Sequence, residues 1–104
     1  MKIAWDAETT NEKHLEQIIT QKWIANYPMG IEAWAEYRRT GYPELAPSLD
    51  NLSTDGVDPR RGARRLVYPI SERDYNTTNY QNAVANLLGG QDTQAKDLFW
   101  AKKD

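Results

Sequence analysis

The sequence has no cysteine, one histidine, one phenylalanine and almost no net charge. Without Cys there are no disulfides and no thiolate metal sites. With one His, His14, early in an expected helix and expected to be exposed, there is no transition-metal constellation. A formal net charge of -2 argues against a general nucleic-acid binder, whose surface would be net basic. No apolar run approaches the roughly 18 residues that span a bilayer. The first residues, Met1-Lys2-Ile3-Ala4-Trp5-Asp6, hold neither the apolar stretch of a signal peptide nor a Cys for lipid attachment. Taken by itself the chain is expected to be soluble and untargeted, or a piece of something longer. Aliphatic bulk is thin as well: Leu, Ile, Val and Phe make up 18 of 104 residues. A share under roughly 20% signals disorder only when net charge is also high. Here Trp and Tyr supply the missing bulk. Residues 1–104 are expected to fold as one domain, or as part of one, around a small aromatic-rich core. Cores of that size often depend on a partner.

What is present is organised around residues 21–43, which hold two of the four Trp and three of the six Tyr. Ahead of them, Lys2 to Trp5 allows a short extended segment. Thr9 and Glu12 have capping-box spacing and predict a helix from about Thr10 to Asn26. Leu15, Ile18, Ile19, Trp23 and Tyr27 fall on one face at helical spacing, with Glu12, Lys13, Glu16, Gln17 and Lys22 on the wet side. Pro28 disfavours helix at Tyr27. Gly30 permits a corner, and a second helix should run from about Ile31 to Thr40. Arg38 and Arg39 complement its C-terminal dipole. Gly41 suits the cap position after the helix, and Pro43 prevents resumption.

Residues 42–65 carry repeated turn signals and read as a long loop, which inside a compact domain usually marks function, mobility or a missing partner. Arg65 to Tyr68 is expected as a short strand or extended piece, and Ser71 to Asp74 as a turn or single helical turn. A third helix should span about Thr77 to Leu88, with Tyr80, Ala83, Val84, Leu87 and Leu88 on its apolar face, ended by Gly89-Gly90. Leu98-Phe99-Trp100 is an apolar anchor before a charged tail. The expected fold is mainly α: a helical hairpin plus a third helix with a long ordered loop.

Several phrases in order carry a resemblance: Gln21-Lys22-Trp23-Ile24-Ala25, Glu32-Ala33-Trp34-Ala35-Glu36-Tyr37-Arg38-Arg39-Thr40-Gly41-Tyr42-Pro43, Arg64-Arg65-Leu66-Val67-Tyr68-Pro69, Asn76 with Asn79-Tyr80, and Leu88-Gly89-Gly90-Gln91-Asp92 with Leu98-Phe99-Trp100. The series resembles the C-terminal portion of the SusD/RagB-like outer-membrane lipoproteins of Bacteroidetes, over nearly the whole chain. The resemblance implies a largely helical protein that captures nutrients at the cell surface. It implies a glycan ligand, or in some members a peptide, and a TonB-dependent outer-membrane transporter as partner. It also implies no enzyme activity and no cofactor. Proteins of that family are several times longer. Their lipid-anchoring Cys, their tetratricopeptide-like helices and most ligand-binding aromatics of the starch-binding type lie upstream of anything present here. A purely structural or interaction segment, with no ligand site of its own, is therefore the competing expectation. Exposed apolar surface in such a fragment also makes a homodimer plausible.

The glycan-binding candidates are Tyr42, Tyr68, Tyr75 and Trp34. Aromatic faces suit the apolar face of a sugar ring. The three tyrosines lie in loops or beside Pro, where binding residues concentrate. Trp23 and Trp34 flank the corner and offer a stacking platform, though large aromatics on a helix face more often pack inward. Trp5 and Trp100 read as docking anchors near the termini. Arg60, Arg61, Arg64 and Arg65 form the only dense basic cluster. It suits an anion, but pairing with Asp55, Asp58, Glu72 and Asp74 in a solvated cluster is the simpler expectation. A buried Arg38 or Arg39 holding the long loop through its carbonyls is a further structural option. Residues 50–58 lack the ligand positions of an EF-hand loop. No phosphate loop, nucleophile elbow or Ser/His/Asp set occurs. Glu32 and Glu36, one turn apart, are the carboxylates that a glycosidase reading would use, although that chemistry needs two carboxyls across a cleft.

Overall fold

The computed structural model describes residues 4–102 except 6 and 8. Part of the extended segment expected over residues 2–5 lies outside the described residues. The described chain is helical, with no strand, and divides into two compact units, Met1–Leu45 and Ala46–Lys103.

The first unit is a helical hairpin. Helix α1 spans Asn11–Ala25 and α2 spans Gly30–Thr40. The cap of α1 is Thr10 rather than Thr9: Thr10 is extended (φ -75°, ψ 159°) and accepts from the Lys13 N–H at 3.3 Å. Moving the cap one residue leaves Glu12 out of the capping-box position, and its carboxylate accepts from the Tyr42 hydroxyl at 2.7 Å. At the corner the Tyr27 N–H reaches Ile24 O at 3.2 Å and the Met29 N–H reaches Asn26 O. The Tyr27–Pro28 and Tyr42–Pro43 peptide bonds are cis. Helix α2 ends at Gly41, whose φ of 80° lies in the left-handed region and whose N–H donates to Tyr37 O at 2.8 Å. Such a cap favours Gly because a Cβ is strained there.

The expected burial stripe of α1 is only partly covered. Ile19 is buried and Leu15 half-buried, whereas Ile18, Trp23 and Tyr27 are exposed. The ion pairs that join α1 to α2 run instead from Lys22. Lys22, expected on the wet side, bridges to Glu32 at 3.2 Å and Glu36 at 2.9 Å on α2. His14, expected to be exposed, is half-buried because Trp5 stacks on it with ring centroids 4.4 Å apart. The neighbouring Gln17 Nε2 donates to Ala4 O at 2.8 Å, tying residues 4–5 to α1.

The second unit begins with the long loop, which is ordered by its own polar groups. Ser48 N–H donates to Pro59 O at 2.9 Å, and Asn51 Nδ2 to Val57 O at 2.6 Å. Asn51 Oδ1, Ser53 Oγ and Asp58 Oδ1 each accept from a backbone N–H two residues on, the local turns these side chains favour. Residues 65–68 form no strand. Helix α3 follows Pro69 over Ile70–Tyr75, a longer element than the single turn expected, and α4 spans Thr77–Leu87. Between them Asn76 (φ -130°) breaks the path, and its Oδ1 accepts from Asn79 Nδ2 at 2.7 Å. On the apolar face of α4, Leu88 is buried, Tyr80, Ala83 and Val84 are half-buried, and Leu87 is exposed.

The interior is unusually polar. Ile19, Leu88 and Ala101 are the buried hydrophobic residues among those described, while Thr20, Arg38, Thr40, Arg64 and Arg65 are buried polar ones. Arg61, Arg64 and Arg65 are thus structural, and their ion pairs reach carboxylates other than those expected. Arg64 Nε donates to Asp97 Oδ1 at 2.8 Å, and Arg61 Nη2 to Asp97 Oδ2 at 3.0 Å. Arg61 Nη2 also reaches the Lys102 carbonyl at 2.8 Å. Arg65 Nη1 pairs with Asp92. The correction has a simple cause: residues 92–102 fold back against 61–68, bringing carboxylates far along the sequence to guanidiniums that Asp55, Asp58, Glu72 and Asp74 were expected to meet. Arg64 and Arg65 are only 3% and 6% exposed, so full pairing is required, since a buried charge without a partner is costly.

Candidate functional site

The four aromatic candidates fall into two pairs. Trp34 and Tyr42 belong to the first unit, Tyr68 and Tyr75 to the second. Trp34 is half-buried on α2, one turn before Arg38. The Arg38 guanidinium carbon sits 3.6 Å from its ring centroid, and Arg38 Nε donates to Trp34 O at 3.4 Å. One ring face is therefore covered by a cation within its own helix. The Arg38 side chain thus holds a carbonyl inside α2. Tyr42 follows the Gly41 cap, and its N–H donates to Thr40 Oγ1 at 3.1 Å. Its hydroxyl donates to Glu12, and that hydrogen bond, with burial and the Glu12 charge, pushes the phenol up to about 12. The polar tip of Tyr42 is thus already engaged.

Tyr68 is set by a carboxylate. Its N–H lies 3.3 and 3.2 Å from the two oxygens of Asp92, which also accepts from the Tyr80 hydroxyl at 3.3 Å. The Tyr80 ring meets Tyr68 edge-on at 5.7 Å, and the Arg65 guanidinium lies 5.1 Å from the Tyr68 centroid. One carboxylate therefore fixes backbone, neighbour and cation around a single ring. Tyr68 lines an open groove of about 450 Å³ with Leu66, Pro69, Leu87, Leu98 and Phe99. Phe99 is 93% exposed. Tyr75, the last residue of α3, is 91% exposed and displays both faces and its hydroxyl to solvent.

Two features carry more weight in the structure than in the sequence. Asp92 and Asp97 organise the second unit, yet each stands in a polar stretch without a pattern that separates it from other surface acids. The corner between α1 and α2 forms a second groove, of about 510 Å³, walled by Trp23, Ile24, Tyr27 and Pro28. Its signal was the Trp23–Tyr27 stripe, read as core. Burial works to raise the Asp97 carboxyl, but hydrogen bonds from Arg64 and Arg61 and their charges outweigh it and hold the group below its ordinary value. Glu36 is also held low, first by its hydrogen bond from Lys22 and then by that from Arg39. A carboxyl held ionised is a poor proton donor, which makes Glu36 unsuited to the general-acid role in glycoside cleavage. Among the described residues no group of three or more His, Cys, Asp or Glu is arranged to hold a metal ion, and no helix is long and apolar enough to cross a membrane.

The model of the SusD-like family, described as SusD and RagB outer membrane lipoproteins, matches residues 1–101. The chain belongs to the SusD-like family. Among solved structures, a SusD homologue from Bacteroides uniformis is 52% identical and superposes with a TM-score of 0.90, covering 97% of this chain and 21% of that one. A SusD-like protein from Bacteroides thetaiotaomicron is 41% identical with a TM-score of 0.88, covering 98% and 21% respectively. A chitin-binding SusD homologue from Flavobacterium johnsoniae is 46% identical with a TM-score of 0.86, covering 94% and 20%. No curated protein matches the chain. The chain spans about a fifth of the length of these solved relatives. The helical SusD-like fold expected from the sequence phrases is the fold observed.

Proposed function

We propose that this chain is part of a SusD-like protein that captures glycans at the outer membrane without altering them. In that setting it faces the cell exterior and hands its ligand to a TonB-dependent transporter. The observation that carries the reading is the 46% identity, over 94% of this chain, to a homologue that binds chitin. Within the chain, Tyr68 and Tyr75 are the proposed glycan contacts. Tyr75 is open on both faces, and Tyr68 is held rigidly by Asp92 at the lip of a groove. Rigid aromatics lose little entropy on binding, which favours them as sugar platforms. Tyr42 and Trp34 are secondary candidates, since the hydroxyl of the first and one face of the second are already engaged.

Affinity electrophoresis of the purified chain through gels containing a panel of polysaccharides, chitin derivatives among them, tests the reading. Retardation on one glycan, reduced by Tyr68→Ala and by Tyr75→Ala, is expected. Normal migration on every gel by a chain that unfolds cooperatively would defeat binding by these residues. A second reading, a segment that serves only to hold the larger protein together, is favoured by one observation. The first unit leaves Trp23, Ile24, Tyr27, Met29 and Ile31 exposed around its corner, more apolar surface than a self-sufficient module usually shows.

A further inference from the structure

The groove beside Tyr68 is chemically one-sided. Leu66, Pro69, Leu87, Leu98 and Phe99 line it, and Leu66, Leu87 and Phe99 stand open to solvent. Arg65 and Tyr68 supply the polar side chains among its described lining residues. The Arg65 charge is already matched by Asp92, and Arg65 Nη1 also donates to the Thr93 carbonyl at 3.3 Å. Asp92 engages Tyr68 through its N–H, at 3.3 and 3.2 Å. The side-chain polar group that this groove offers a ligand is therefore one phenol, set in leucine and phenylalanine. Its volume of about 450 Å³ suits a sugar with its substituents.

That chemistry discriminates among glycans. A ring bearing only hydroxyls would set them against apolar walls, where each loses water and gains no partner. An amino sugar or a uronic acid would bring a charge to a groove whose lining cation is already neutralised, at a greater cost. An acetyl substituent does the opposite. Its methyl gains from burial against apolar walls. Its carbonyl needs one donor, and a phenol hydroxyl is a donor. We propose that this groove selects glycans whose sugars carry acetyl groups, with the methyl against Leu66 and Phe99 and the Tyr68 ring stacked on the sugar. The inference rests on the reading of Tyr68 as a glycan contact and names the class of glycan. N-acetyl and O-acetyl groups present the same methyl and carbonyl, so the acetyl itself is the feature recognised.

The test reads dissociation constants by nuclear magnetic resonance titration with two matched pairs of oligosaccharides. N-acetylglucosamine oligomers are compared with the same oligomers N-formylated, which keep the amide and lose the methyl. O-acetylated xylan oligomers are compared with their saponified forms. In at least one pair the acetyl member is expected to bind about fourfold tighter or more, the factor that burial of one methyl-sized group gives. A response in the first pair alone assigns the acetyl to an amide, and in the second alone to an ester. Equal affinities within both pairs would overturn the proposal and leave glycan capture standing. No response to any oligosaccharide, acetylated or not, would defeat the glycan reading itself and the inference with it. Leu66→Asn, at an exposed position of the groove, is expected to abolish the difference. Leu52→Asn, exposed on the long loop and outside the groove lining, is expected to keep it. A difference that survived Leu66→Asn would put the methyl elsewhere and overturn the proposal. The same pairs are offered to the Bacteroides uniformis homologue carrying this chain in place of its matched segment. Loss of the difference there would mean that the remaining polypeptide fills the groove, and the proposal would fall.

Discussion

Replacing Asp92 by Ala should be among the most damaging single changes in the second unit. The Asp92 side chain is 6% exposed and pairs with Arg65, whose side chain is 7% exposed. The same carboxylate accepts from the Tyr68 N–H and the Tyr80 hydroxyl. Among the described residues, truncation leaves the buried guanidinium with the Thr93 carbonyl, 3.3 Å away, as its hydrogen-bond acceptor. Removing one partner of a buried ion pair costs about 3–5 kcal/mol. The hydrogen bonds from the Tyr68 N–H and the Tyr80 hydroxyl are also made to this charged carboxylate, and their loss adds to that cost, about 1.5 kcal/mol for a well-made one. A fall of at least about 4 kcal/mol is a large share of the roughly 5–15 kcal/mol that holds a domain folded. With a urea slope of about 1–3 kcal/mol/M, the midpoint should drop by at least about 1 M. Urea unfolding followed by far-UV circular dichroism measures it, with Asp50→Ala, at an exposed loop position, as a control expected to stay within about 0.5 kcal/mol. The pair Asp92→Leu with Arg65→Met should recover much of the loss, because an apolar pair of similar volume can replace a buried ion pair. An Asp92→Ala chain within about 1 kcal/mol of the parent would refute the reasoning, since no buried charge could then have been stranded.

The remaining predictions concern protons and one cap. Asp97 is held below its usual 3.8, so its contribution is complete above that value and is lost as pH falls through the lower folded value. Asp97→Asn should flatten the acid limb of stability below that pH in a circular dichroism titration, and an unchanged limb would contradict the pairing. Tyr42 is raised from 10.0 to about 12, so its contribution is complete below the first value and lost as pH rises through the second. Tyr42→Phe should abolish the latest phenolate absorbance step, and persistence of that step would assign it to another tyrosine. Gly41→Ala should cost about 1 kcal/mol, read as a lower urea midpoint, because the Gly41 φ of 80° strains a side chain.

The helices were legible because their signals are local. The Pro28–Gly30 corner, the Gly41 cap and the Gly89–Gly90 stop lie within a turn of what they control, and the observed ends fall within one residue of those expected for α1, α2 and α4. Burial was less legible. Helical periodicity identified Ile19 and Trp23 as one stripe, but which part of a stripe is covered depends on the neighbour, and Lys22 drew α2 to one side of it. The arginine cluster was visible, whereas its partners Asp92 and Asp97 lie 27 and 33 residues from Arg65 and Arg64, a separation no local pattern encodes. For the candidate site, sequence supplied the aromatic types and their loop positions. It did not reveal that Arg38 caps one face of Trp34, or that Asp92 fixes Tyr68.

The central claim, that these residues take part in glycan capture, is tested most directly by nuclear magnetic resonance titration of the isotopically labelled chain. Oligosaccharides cut from each polysaccharide of the panel are added in turn. The account predicts that one of them shifts backbone amides around Tyr68 and Tyr75, and that Tyr75→Ala weakens the response. Spectra unchanged by every sugar, or shifts confined to the Trp23–Tyr27 corner, would contradict it.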